Sequence, residues 1–281
     1  MDFTYIPAAA LALCFGAPHS VQVEDYRGHA MEPFISRDGE TLFFNNRNGP
    51  NDQTDMFWAS RVDATHFRFR GPIEGANSAE LDGVPSLARD GTFAYISPRV
   101  ADGRAATIWT GHWTGSSVAA PMLNPALTPG RWPLFNMDAE ISADGARLYI
   151  ADTRWAAPIP RASDLRLAVL TANGWRRAPR FDHWFANVNT QRSLEYAPAT
   201  SENELELYFT RLTTHFFAPP TLEILVATRR SPTEAFSAPA RIAAINGFVE
   251  GPTVAPDGAL YYHQKINEMH VLMRTPRTCG T

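Results

Sequence analysis

One passage is written five times along this chain, and a period in the fifties with several short strands per copy restricts the fold to a ring or stack of small sheets. The fullest copy is Glu32–Arg61, EPFISRDGETLFFNNRNGPNDQTDMFWASR. Phe34-Ile35 and Thr41-Leu42-Phe43-Phe44 are rich in β-favouring residues. Between them, Ser36-Arg37-Asp38-Gly39 predicts a tight turn, because Asp bonds back to its own backbone and Gly accepts positive φ. Arg47-Asn48-Gly49-Pro50 ends the second strand and Met56-Phe57-Trp58 opens a third.

The copies diverge in instructive ways. Val84–Gly91 leads to Phe93-Ala94-Tyr95-Ile96 and Arg99, and Asp138–Gly145 leads to Leu148-Tyr149-Ile150 and Arg154. In the fourth copy Leu194–Pro198 has lost the Asp-Gly turn for Ser201-Glu202-Asn203-Glu204, yet Leu207-Tyr208-Phe209 and Arg211 follow. Gly251–Gly258 leads to Leu260-Tyr261-Tyr262 and Lys265. A second repeat sets an aromatic or apolar residue three before a proline: Phe15–Pro18, Phe69–Pro72, Val118–Pro121 and Phe236–Pro239, with Trp175–Pro179 as a variant. These read as outermost strands. Together they predict an all-β chain, one domain over residues 1–281, folded as a five-bladed β-propeller of four-stranded blades. The blades fall at about 30–78, 80–127, 136–188, 192–245 and 248–275, and the last lacks a fourth strand. Residues 15–23 are expected to supply it by pairing with Met269–Arg274, closing the ring and hiding its strand edges.

The only two cysteines, Cys14 and Cys279, flank this seam. Closure would bring them together, so they read as a disulfide in a periplasmic or secreted protein, or else as two thiols on frayed ends in a cytoplasmic one. Ile6–Ala17 is apolar enough for a signal-peptide core, but Asp2 and Pro7 argue against one, and Phe15–Pro18 already fits the repeat. A net charge of −4 without a basic cluster disfavours nucleic acid. No apolar run reaches the roughly 18 residues of a membrane span.

The motif P-x-x-S-x-D-G, followed by L-Y-F, a terminal Arg and a D-x-[FY]-x-A-[ST]-R strand, resembles the WD40-like (PD40) repeat of TolB-type β-propellers. Glu32–Arg61 matches nearly throughout, Gly251–Lys265 in its first half, and the resemblance spans about residues 15–275. It implies the propeller fold. For function it implies a partner-binding platform, a ligand binder or an enzyme scaffold.

Propeller ligands sit at one mouth of the central channel. The loops entering the innermost strands carry Glu32, Asp82, Asp138, Glu140, Glu195 and Glu250, and those leaving the second strands carry Arg47, Arg99, Arg154, Arg211 and Lys265. Such a ring binds a polar ligand or positions an acid and a base; one acid and one base per blade equally describes salt bridges locking the blades. Enlarged loops at 154–160 and 213–220, with the crossing at 183–189, are expected to bring Trp155, Trp184, Phe185, Phe216 and Phe217 over that mouth as an apolar wall. His215, His263 and His29 are candidate bases or metal ligands, but no H-x-x-x-H or C-x-x-C spacing exists, so neither metal nor cofactor is named. No G-x-S-x-G elbow or Gly-rich phosphate loop occurs.

Two readings follow. The first is a small-molecule or saccharide-like ligand at the mouth, with acid–base chemistry of hydrolase or lyase type by Glu140, Glu195, Glu250 and His215 or His263. Its binding residues would be Glu32, Arg47, Arg99, Asp138, Arg154, Trp155, Trp184, Arg211, Phe216 and Lys265. The second is a non-catalytic, TolB-like platform for a protein partner, since Trp and Phe also anchor interfaces. Five-bladed glycosidases gather three carboxylates at the mouth; the evenly repeated acids here single out no such trio.

Overall fold

The computed structural model describes residues 5–48, 53–99, 105–157 and 159–279. Gly49, Pro50 and Pro158 of the expected loops lie outside the described residues. The chain is an all-β propeller, and among the described residues its ladders group into five antiparallel units once the eight-stranded sheet is divided at its single parallel bridge. The first contains β3 (Met31–Ile35), β4 (Thr41–Asn45), β5 (Met56–Arg61) and β6 (His66–Pro72). The second contains β7 (Gly83–Leu87), β8 (Thr92–Ile96), β9 (Ile108–Trp113) and β10 (Val118–Leu123). The third is β11 (Leu134–Ile141), β12 (Arg147–Ala156), β13 (Ile159–Thr171) and β14 (Gly174–Arg177). The fourth is β15 (Ser193–Thr200), β16 (Glu206–Thr213), β17 (Thr221–Thr228) and β18 (Ala240–Arg241), touching the third through one parallel bridge, Ser163 to Leu194. The fifth is β19 (Val249–Val254), β20 (Leu260–Ile266) and β21 (Met269–Thr275), completed by β1 (His19–Ser20) from the N-terminal segment.

The turns form as their side chains dictate. Ser36 Oγ donates to Asp38 Oδ1 at 2.5 Å, the same oxygen accepts the Glu40 N–H at 3.0 Å, and Gly39 takes φ 80°. Ser142 and Asp144 repeat the contact at 2.6 Å. In the fourth unit Asn203 stands in for the aspartate, accepting from Ser201 Oγ at 2.8 Å, and Glu204 occupies the left-handed position with φ 56°.

Strand residues alternate between two buried faces, which explains the unbroken apolar runs. Phe43 enters the seam with the second unit, beside Phe93 and Val118, while Leu42 and Phe44 enter the seam with the fifth, beside Tyr261 and Leu272. Three further clusters fill the seams between units two and three, three and four, and four and five. Every unit is thus flanked on both sides, and each fully buried Phe or Leu is worth about 1.5–3 kcal/mol. The ring closes around β3, β7, β11, β15 and β19, which lie side by side at the centre. Cross-unit hydrogen bonds tie them, among them Ile141 N–H to Ser86 Oγ (3.1 Å) and Ile35 N–H to Thr253 Oγ1 (3.4 Å).

Closure by the N-terminal segment is shared between two sheets. His19 and Ser20 pair with Arg274 and Met273, but β2 (Gln22–Glu24) pairs in parallel with His66–Arg68 of the first unit. Before them α1 (Ala8–Leu11) and Phe15 lay Leu11, Ala12 and the Phe15 ring into the seam of units four and five. Cys14 and Cys279 are disulfide-bonded, with Cα atoms 5.2 Å apart. The expected outer strand at Phe236–Pro239 starts later, at Ala240. Phe236 instead donates its N–H to Trp184 O and buries its ring in the seam of units three and four. Among the described residues no helix is long and apolar enough to cross a membrane.

Candidate functional site

Four of the five central strands break register at the same step, immediately before a proline. The residues there are Glu32 (φ 45°), Val84 (55°), Ala197 (47°) and Gly251 (63°). A left-handed φ is costly for a non-glycine residue and for β-branched Val84 above all. The resulting bulges re-aim side chains, as bulges at barrel rims do. In the third unit, which has no such proline, the shift lies between Asn136 and Asp138. The x-Pro step of the repeat therefore encodes the channel lining, a signal that reading the turns alone passes over.

At the mouth, side chains from four units converge. His263, fully buried on β20, is the cross-strand partner of Glu250. Its Nδ1 accepts the backbone N–H of Glu32 at 3.2 Å, so in the neutral ring the proton sits on Nε2. That Nε2 faces Glu250 Oε2 at 3.4 Å, and the Glu32 carboxylate lies 4.0 Å from Nδ1. Tyr196 of the fourth unit donates its hydroxyl to Glu250 Oε1. Asp138 of the third unit, 3% exposed, accepts the Ala197 N–H at 3.1 Å. Above these groups opens a cavity of about 680 Å³. Its floor holds Glu32, Asp138, Tyr196 and Glu250, and its sides are largely carbon, from Leu81, Ile96, Trp132, Phe135, Met137 and Trp155.

The carboxylates are driven apart in acidity. Burial raises Glu32 to about 7; the Glu250 charge adds to the rise and His263 opposes it. Burial likewise raises Asp138 well above the usual carboxylate range, with Glu32 and Glu250 adding to it and the Ala197 N–H opposing. Burial also pushes Glu250 upward, but contacts from His263, the Tyr196 hydroxyl and His270 outweigh it, and Glu250 stays below its ordinary value. For His263 burial favours the neutral ring, and the neighbouring Glu250 and Glu32 charges overcome it and raise the pKa. His270, whose ring stands 5.7 Å from that of His263, is lowered to about 4 by burial and by His263 and His29. One acid that keeps its proton near neutrality beside one that has lost it is the pattern of acid–base sites.

The remaining expected residues disperse. Glu195 is buried against Arg211 (2.7 Å) and accepts from Thr190 N and Oγ1 (3.0 Å each), so it locks the fourth unit instead of facing the cavity. Arg99 does the same for Asp82 in the second unit (2.6 Å) and lies over the Trp109 ring. Glu140 is two residues from Asp138 and points to the same side, but lower in the channel. There Oε1 takes the Arg37 guanidinium (3.1 Å) and the Thr200 N–H (2.8 Å). Arg37–Glu140 ties the first unit to the third, whereas Glu195–Arg211 and Asp82–Arg99 each lie within one unit, and in all three the paired oxygen is taken up by protein donors.

Lys265 pairs on the surface with Glu268 (2.8 Å), near which Arg47 also lies, and Arg154 is exposed. Of the expected aromatic wall only Trp155 lines the cavity. Trp184 is 3% exposed, because the 3-10 helix Pro179–Phe185 turns it inward against Phe181 and Arg229. Phe216, 92% exposed, and Phe217 sit at the hairpin tip with His215, whose ring shares a hydrogen bond with Thr221 Oγ1 (3.2 Å). The wall that does form uses Trp132 and Phe135, stacked at 5.9 Å on the approach to β11. Their stretch reads as a linker between repeats, which is why it escapes a repeat-based reading. Among the described residues no three His, Cys, Asp or Glu side chains are grouped to hold a metal.

No family model and no curated protein sequence matches this chain. Solved structures do share its fold. An endo-arabinase of Bacteroides thetaiotaomicron superposes with a TM-score of 0.57 at 13% identity, covering 93% of this chain and 98% of its own. A thermostable family-43 glycoside hydrolase gives 0.56 at 11%, covering 94% and 98%. A family 117 glycoside hydrolase of the marine bacterium Zobellia galactanivorans gives 0.55 at 10%, covering 95% and 92%. At these identities the likeness is one of fold. It corrects the TolB-type expectation: the similar structures are glycoside hydrolases, and no repeat-family model matches. The motif behind that expectation encodes a strand, an Asx turn and a strand, which propeller blades of different lineage can all use.

Proposed function

We propose that the mouth hydrolyses a glycosidic bond by general acid–base catalysis. Glu32, protonated near neutrality, gives its proton to the leaving-group oxygen as the C–O bond breaks. Glu250, ionised, takes a proton from the water that attacks the sugar carbon. Tyr196 and His263 hold Glu250 in place and keep it charged, and Asp138 stays neutral as a hydrogen-bonding group beside the reacting sugar. The observation carrying this reading is the shared imidazole. His263 touches both the backbone of Glu32 and the carboxylate of Glu250, whose acidities burial and hydrogen bonding push in opposite directions. The similar structures named as an endo-arabinase and glycoside hydrolases lend the fold precedent for saccharide chemistry. The Cys14–Cys279 disulfide supports an oxidising, extracytoplasmic place of action.

A panel of chromogenic glycosides tests it. Glu250→Gln and Glu32→Gln should each lower kcat about 10²–10⁴-fold on whichever glycoside the wild type turns over, with the native fold retained. Undiminished turnover in either variant would sink the assignment of that residue.

A further inference from the structure

Taking the hydrolase reading as its ground, we propose that the substrate is a neutral glycoside with an apolar aglycone, an aryl or long-alkyl group, and not one link in a polysaccharide. Among the described residues the cavity's ionisable side chains, Glu32, Asp138, Tyr196 and Glu250, lie together on the floor, where one sugar would sit, and Asn48 and Thr107 are the further polar side chains of the lining. The wall above them is dominated by Trp132, Phe135, Trp155, Met137, Leu81 and Ile96. Trp132 is 60% exposed, an unusual place for an indole, and it stacks on Phe135 beside that wall. A second or third sugar would turn several hydroxyls toward this carbon surface, and each buried hydroxyl without a partner opposes binding. An alkyl chain or aromatic ring there loses no hydrogen bond and gains by leaving water. The volume of about 680 Å³ suits a single sugar with such a group. Glu250 is the one ionised acid on the floor and no arginine or lysine lines the cavity among the described residues, so an anionic uronide or sulfated sugar would meet a like charge and no counter-charge, and the sugar is neutral.

The test compares octyl and methyl glycosides of glucose, galactose, xylose and arabinose, the matching oligosaccharides, and free octanol, all below micelle-forming concentration. Binding is followed by tryptophan fluorescence and calorimetry, turnover by sugar release. The expected result is that one octyl glycoside binds at least about tenfold tighter than its methyl counterpart and than octanol. Trp132→Ala should remove most of that advantage, costing the octyl glycoside about tenfold and the methyl glycoside under about threefold. Glu32→Gln should keep the octyl affinity and lose turnover. Tighter binding of the oligosaccharide, octanol binding as well as the octyl glycoside, or an equal effect of Trp132→Ala on octyl and methyl ligands would each overturn the proposal. Tight octyl-glycoside binding with no turnover by the wild type would leave the ligand class standing and refute the hydrolase reading, so the two fail separately.

Discussion

Glu32→Gln gives the sharpest physical test of the mouth, because it removes one titration while keeping the shape of the protonated side chain. The Glu32 side chain is 11% exposed, and its pKa is raised from 4.5 to about 7. A carboxyl raised on folding binds its proton more tightly in the native state. Its stabilising contribution is therefore complete below pH 4.5 and is lost as pH rises through 7. At about 1.4 kcal/mol per pH unit, that window corresponds to roughly 3 kcal/mol. Glutamine is neutral throughout and carries no such loss. In urea denaturation the variant should match the wild type to within about 1 kcal/mol at pH 4.5 and exceed it by about 3 kcal/mol at pH 8. The activity of the wild type should fall on the alkaline side as Glu32 loses its proton, near pH 7. A stability difference that stays level from pH 4 to 8 would show that Glu32 ionises normally in the folded protein, and its role as acid would go with it.

Two further outcomes concern the frame around the site. Arg211→Leu strands the fully buried Glu195 carboxylate in the fourth unit and should cost about 3–5 kcal/mol by urea denaturation, with the pH profile of activity unshifted; a loss under about 1 kcal/mol would return Glu195 to the candidate catalytic acids. Replacing Cys14 and Cys279 by serine opens a loop with a sequence separation of 265, which the chain-entropy model sets at about 5 kcal/mol, and reduction of the wild type should reproduce the fall in denaturation midpoint. Equal midpoints for reduced and oxidised protein would mean that the packing of Leu11 and Phe15 alone holds the seam.

The sequence by itself determined the units and their turns. Ser36, Asp38 and Gly39 bond to one another and to Glu40 within a few residues, so their geometry is written locally and recurs wherever the letters recur. For Cys14 and Cys279 the sequence left a disulfide or two thiols open, and ring closure, which sets their Cα atoms 5.2 Å apart, decided for the bond. Which acids meet was decided only by the tertiary structure. Asp138 and Glu140 are two residues apart and indistinguishable as letters, yet one reaches the mouth beside Ala197 and the other ends on Arg37. Trp155 and Trp184 look alike as loop aromatics, and only the turn of a 3-10 helix buries the second. Glu32 owes its raised pKa first to burial in the closed ring, which also sets it against His263, 231 positions away, whose charge opposes the rise. A carboxylate's acidity is fixed by the water it has lost and the charges across the channel from it, and neither is a property of its neighbours in sequence.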